Sequence, residues 1–211
     1  LVTGRIPSQH GVHDWIRAGD VSDEKIEPAG HGRVIEYLEG QTGYTDLLAA
    51  SGYQCGLSGK WHLGDSHHAQ KGFEYWEVHA KGGGSYYNAP MVRGDDVYFE
   101  PRYVTDAITD NALAFLETTK GDERPFYLGV HYTAPHSPWQ RDQHPQEIFD
   151  SYRESCPFES VPDGLAPPEW AEYLSIPVKD AETRRTYLSG YYAAITAMDS
   201  NVGRIVDWLR K

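Results

Sequence analysis

Two kinds of apolar spacing divide this chain. Residues 53–58, Tyr-Gln-Cys-Gly-Leu-Ser, form a short apolar run between Gly52 and the pair Gly59-Lys60, and read as a buried strand. In residues 126–132, Phe126, Leu128, Val130 and Tyr132 alternate with Tyr127, Gly129 and His131, which is strand periodicity. Elsewhere the spacing is helical. Val104, Ile108, Ala112, Phe115 and Leu116 share a face, predicting a helix capped by Thr105 or Asp106, running to about Thr118 and broken before Pro125. Leu47, Leu48 and the neighbouring alanines predict a shorter helix, capped by Thr45, packing inward and stopped by Gly52. From Ala181, Leu188, Tyr191, Ile195, Met198, Val202, Ile205 and Leu209 recur every three or four residues and predict a long C-terminal helix.

The rest carries no clear period. Residues 1–40, 65–102 and 137–180 are rich in glycine, proline, histidine and aspartate and read as loops, the last two as long excursions. The order helix, strand, helix, strand, helix predicts an α/β fold, a mainly parallel sheet flanked by helices. Two clear strands are few for the whole sheet of such a domain.

Composition narrows the function. A chain of 211 residues can bury one substantial core. Its net charge of −12 argues against a general nucleic-acid binder, yet leaves room for an anionic ligand held by a few convergent cations. No apolar run is long enough to span a bilayer. The two cysteines, Cys55 and Cys156, make no disulfide framework; Cys55 reads as a small buried hydrophobe.

Chemistry concentrates at the ends of the two strands. Lys60 and His62 follow the first and His136 the second. In open α/β sheets binding groups gather beyond the carboxyl ends of strands, so parallel strands would bring the three to one end of the sheet. Lys60 offers a point charge for the oxygens of a sulfate or phosphate ester. His62 can hydrogen-bond to a nucleophile or to the anion, and His136 can protonate a departing alkoxide. Other groups read more plainly. His67-His68, His10 and His13 are loop histidines, and His131 is a sheet-face residue. Asp95-Asp96 is a solvated turn, and Gly82-Gly83-Gly84 lacks the strand-to-helix setting of a phosphate cradle.

Three segments resemble the sulfatase family. Thr3-Gly4-Arg5 with Pro7, His10, Gly11 and Val12 resembles the stretch after the family's Cys/Ser-x-Pro-x-Arg signature. Gly52-Tyr53 through Gly59-Lys60-Trp61-His62 resembles its second signature, and Tyr132-Thr133-Ala134-Pro135-His136-Ser137-Pro138 its downstream histidine motif. The resemblance implies a partial alkaline-phosphatase-like fold, with residues 1–211 as the central portion of one catalytic domain. It implies hydrolysis of a sulfate ester, of a small molecule or glycan, by a formylglycine above a divalent cation, usually calcium. Lys60 would then bind sulfate, His62 would contact the formylglycine hydrate, His136 would assist the leaving group, and Trp61 would line the substrate. No Cys/Ser-x-Pro-x-Arg occurs in the chain, so neither nucleophile nor metal ligands are assigned. The expectation is an internal portion, inactive alone and prone to self-association through uncovered sheet edges. Two alternatives stand beside it: a phosphonate or phosphodiester hydrolase of the same superfamily, and a noncatalytic carbohydrate- or anion-binding module using Trp61, Trp76, Trp139, Tyr86 and Tyr87. A zinc hydrolase lacks a helical ligand pair.

Overall fold

The computed structural model describes residues 1–27, 32–94, 96–161 and 180–211. Two compact units emerge: residues 1–133 with 201–211, and residues 134–200.

The first unit is built on a five-stranded sheet in the order β4-β3-β2-β1-β5. Its strands are β1 (Gln54–Lys60), β2 (Tyr75–His79), β3 (Ala89–Arg93), β4 (Asp96–Glu100) and β5 (Phe126–His131). Interior β1 runs parallel to both β2 and β5, whereas β3 runs antiparallel to β2 and to β4. The sheet is therefore mixed, which corrects the mainly parallel expectation and fills much of the 65–102 excursion with strands. These three strands are short, and β3 contains Pro90. Pro90 has no N–H to give a ladder, yet its carbonyl accepts from Ala80 N at 2.8 Å. Residue 95 lies outside the described residues, so the Asp95-Asp96 turn is not described as a pair; Asp96 opens β4.

Along β1 the packing partners alternate with a period of two. Gly56 and Ser58 face α3 (Val104–Thr119), where Phe115 lies over Gly56 and Ser58 Oγ donates to Ile108 O at 2.7 Å. Cys55 and Leu57 point into a cluster with Trp61, Phe73, Trp76 and Val78, against which Leu48 and Ala49 of α2 (Tyr44–Ala50) pack. Helices thus cover both faces of β1, and a run of small and apolar residues suits such a strand. α2 starts one residue before the expected cap. Gly43 holds the cap position and its N–H donates to Asp46 Oδ2 at 2.7 Å, while Thr45 is buried in the first turn. Leu47 points outward and Leu48 inward. α3 likewise starts at Val104, with Tyr103 at the cap position and Thr105 and Asp106 inside the helix. A single turn, α1 (Pro7–His10), is the only helix within residues 1–27.

The second unit contains α4 (Gln146–Ser155), a 3-10 turn at Arg141–Gln143, and most of the final helix, α5 (Ala181–Leu209). Part of the expected 137–180 excursion is therefore helical; residues 162–179 lie outside the described residues. Asp180 caps α5, accepting from Thr183 N at 2.7 Å. The buried stripe of α5 is Ser189, Gly190, Ala193, Ala194 and Ala197, whereas Tyr191, Val202 and Leu209 are exposed. Helical period was legible here, but the inward face was not: small side chains pack where backbones approach closely. The last turns belong to the first unit. There Asn201 Nδ2 donates to Asp106 Oδ1 at 2.7 Å and Arg204 pairs with Asp110 of α3.

Candidate active site

The parallel register brings the carboxyl ends of β1, β2 and β5 together. Lys60 lies opposite His79, and Gly59 opposite His131. The His131 ring reaches across, its Nδ1–H donating to Lys60 O at 3.0 Å. Gly59 makes this edge possible. Its φ is +107°, and a Cβ there would stand 2.1 Å from the His131 carbonyl oxygen. Only glycine fits that conformation and that approach.

Beyond Lys60 the chain turns sharply. Trp61 swings into the core, 6% exposed, against Phe73 and Trp76 at ring separations of 6.3 and 5.3 Å. This corrects the expectation that Trp61 lines a substrate: the indole is spent on packing. Tyr86 and Trp76 are buried too, which removes two of the rings a carbohydrate-binding face would need. His62 takes φ +54° and lies half-buried, its Nε2 3.1 Å from Ile16 O.

A strap from residues 16–27 closes over this turn. Gly19 O accepts from Asp65 N at 2.8 Å, Asp20 O accepts from Ser66 N at 2.7 Å, and Asp20 Oδ1 accepts from Gly64 N at 3.2 Å. Asp20 and Glu27 are both buried, and Glu27 Oε2 accepts from Val21 N at 2.9 Å. Lys81, just after β2, donates to Ile26 O at 2.9 Å. Burial and the nearby Glu27 push the Asp20 carboxyl up to about 6, against the pull of the Gly64 N–H, Lys81 and Lys60. Burial pulls Lys60 down, and Asp20 opposes that shift. Fully buried His79 is pushed down to about 4 by desolvation, partly offset by its hydrogen bond to the Lys81 carbonyl. Lys60, His62, His79 and Lys81 thus surround a region whose negative groups are Asp20 and Glu27. Sequence reasoning found the first two. The others gave no motif signal, because Asp20 and Glu27 lie in a loop and His79 ends a strand that was not recognised.

His136 belongs to the second unit, where it is exposed and its Nδ1–H donates to Ser137 O at 2.8 Å. A carbonyl can only accept, so the neutral ring is the Nδ1–H tautomer. Among the remaining histidines, His68 pairs with Asp65 at 2.8 Å, His67 Nε2 lies 3.5 Å from Ser22 N, and His10 Nδ1 accepts from Val12 N at 3.2 Å. The His68 and His10 contacts are local turns, and that of His67 joins two loops.

The whole of residues 17–211 matches the sulfatase family model. This chain belongs to the sulfatase family. It is 33% identical over 115 residues to an N-acetylglucosamine-6-O-sulfatase of Bacteroides thetaiotaomicron, covering 53% of this chain and 20% of that protein. It is 23% identical to human iduronate 2-sulfatase, covering 99% of this chain and 42% of that one. A solved Bacteroides thetaiotaomicron structure from work on glycosaminoglycan metabolism superposes with a TM-score of 0.70 at 17% identity, over 100% of this chain and 44% of its own. A second solved structure, in complex with its substrate D-glucosamine-2-N,6-O-disulfate, gives a TM-score of 0.62 at 23% identity, over 99% of this chain and 51% of its own. The fold is thus a partial alkaline-phosphatase-like one, a mixed sheet flanked by helices. The chain spans about half, or less, of each of these relatives.

The family implies a formylglycine and a divalent cation. Neither fits the residues described. Cys55 is buried inside β1, its thiol pushed up by burial, and Cys156 follows α4; neither sits in the signature. Among the described residues no group of three or more His, Cys, Asp or Glu could hold a metal. No helix among them is long and apolar enough to cross a membrane.

Proposed function

We propose that this chain supplies the anion-gripping part of a sulfuric ester hydrolase acting on a sulfated carbohydrate. The observation that carries the reading is Lys60, half-buried at the end of interior strand β1, with His62 on the turn that follows and buried Asp20 hydrogen-bonded to that turn. A partly desolvated ammonium at a strand terminus binds a tetrahedral anion more strongly than one in open water. His62 is assigned to the reacting end of the ester. His136, in the second unit, has the chemistry of a general acid: as an imidazolium it keeps Nδ1–H on Ser137 O and can give up the proton from Nε2 to an alkoxide. The relatives named for N-acetylglucosamine sulfate and for a glucosamine disulfate support a sulfated amino sugar as the ligand class.

Because the described residues fit neither nucleophile nor metal, the test is binding rather than turnover. Titrating the 211-residue chain with sulfate at constant ionic strength, followed by NMR, is expected to give saturable shifts near Lys60 that vanish in Lys60→Ala. Shifts that survive Lys60→Ala, or none in the parent chain, would overturn the reading. No sulfate release above the Lys60→Ala control is expected from this chain. Exposed Leu47, Phe99, Phe126, Val202 and Leu209 support self-association of the chain as it stands. A monomer by light scattering at micromolar concentration would refute that part.

A further inference from the structure

His62 is held more tightly than its turn requires. Its Nε2 lies 3.1 Å from the Ile16 carbonyl oxygen, so Nε2 must carry the hydrogen and the neutral ring places its lone pair at Nδ1. From another side comes Gly82, in the triglycine run after β2. A Cβ built there would fall 2.2 Å from His62 Cε1, 2.3 Å from Nε2 and 2.4 Å from Nδ1. Near-equal distances to three ring atoms mean that the imidazole lies across the Gly82 backbone. Ordinary contacts between carbons are about 3.5–4.0 Å, so no side chain fits between them. Gly82 does not adopt a left-handed φ, so the obstacle to alanine is the His62 ring and not the backbone. Gly84, two residues on, provides the contrast: its Cβ would meet His79 at an ordinary 3.8 Å.

We propose that Gly82 is a positioning residue, a bare backbone platform that fixes the plane of the His62 ring, whose tautomer the Ile16 carbonyl sets. Its bearing on anion binding rests on the function proposed above for His62; the constraint itself does not. The triglycine run therefore serves close approach to a histidine.

The test is long-range proton–nitrogen NMR of the histidine rings in the 211-residue chain, with and without sulfate. The parent chain should show the Nε2–H pattern for His62. Gly82→Ala should displace the His62 ring resonances and lose the sulfate-dependent shifts, and Gly84→Ala should preserve both. His62 resonances unchanged in Gly82→Ala would overturn the proposal. Should Gly82→Ala fail to fold, the double variant with His62→Ala removes the obstacle and should be as stable as His62→Ala alone; a double variant that stays unfolded overturns it equally. His62→Ala also separates the two ideas. If it binds sulfate as the parent does, the anion reading of His62 fails, while displaced resonances in Gly82→Ala still establish the platform.

Discussion

Asp20→Asn should change how stability depends on pH, in a direction fixed by burial. Asp20 is 3% exposed and its carboxyl rises from 3.8 to about 6 in the folded chain. The native state then holds this proton over a range in which the unfolded chain has lost it. Stability from this group is full below pH 3.8 and is lost as pH rises through about 6. At about 1.36 kcal/mol per pH unit, the loss is about 3 kcal/mol. His79 works the other way. Its ring is pushed from 6.5 to about 4, so it favours the native state above pH 6.5 and loses that contribution as pH falls through about 4. That effect is also about 3 kcal/mol, so between about pH 4 and 6 the two slopes offset each other in the parent chain. Asparagine preserves the acceptor for Gly64 N–H but does not titrate. The variant should therefore gain about 3 kcal/mol on the parent between pH 4 and pH 7, and its own stability should climb with the His79 titration. Urea unfolding followed by the fluorescence of buried Trp61 and Trp76, at several pH values in that range, measures the difference directly. A difference between variant and parent that stays flat from pH 4 to 7 would refute the argument.

Three further substitutions probe what holds the site in place. Gly59→Ala must fit a Cβ 2.1 Å from the His131 oxygen at φ +107°, and should cost about 3 kcal/mol or prevent folding, read by the same urea titration. Lys71→Met should cost about 2 kcal/mol, because the buried ammonium donates to Leu38 O at 2.8 Å and Gln41 O at 3.0 Å, and thermal unfolding should show the loss. Asn201→Ala removes the donor to Asp106 Oδ1 and should cost about 1 kcal/mol, with faster hydrogen exchange at the end of α5.

The elements legible in the sequence were those with a clear apolar period. β1 is an interior strand buried along its run, and α3 buries Val104, Ile108, Ala112, Phe115 and Leu116 as its period predicts; edge strand β5 showed its alternation, although Phe126 is exposed and Gly129 is its buried residue. β2, β3 and β4 were hidden because each is five residues long and separated by turn residues, and Glu77, His79 and Pro90 disguise them. One atom of each finds a partner: Glu77 Oε1 accepts from Arg93 at 2.6 Å, and His79 Nδ1 meets the Lys81 backbone. Lys60 and His62 stood out because a cation and an imidazole share one strand end. Asp20 and Gly82 did not, since their roles exist only where distant segments meet. Trp61 was misread because its neighbours in sequence are polar while its neighbours in space are Phe73 and Trp76.

Strand β1 also sets a schedule for biosynthesis. β1 can join β2 soon after both are made, but its other edge pairs Gln54 with Phe126 and Gly59 with His131, far downstream. Until that later segment leaves the ribosome, Gln54–Lys60 presents an unpaired row of backbone groups on a run with a single charge. Long-range parallel pairing of this kind is slow, because the intervening loop must close before any contact is gained. Until then the strand that ends in Lys60 is open to strand addition by a neighbouring nascent chain, and the pace of translation through residues 61–131 governs how long it stays so.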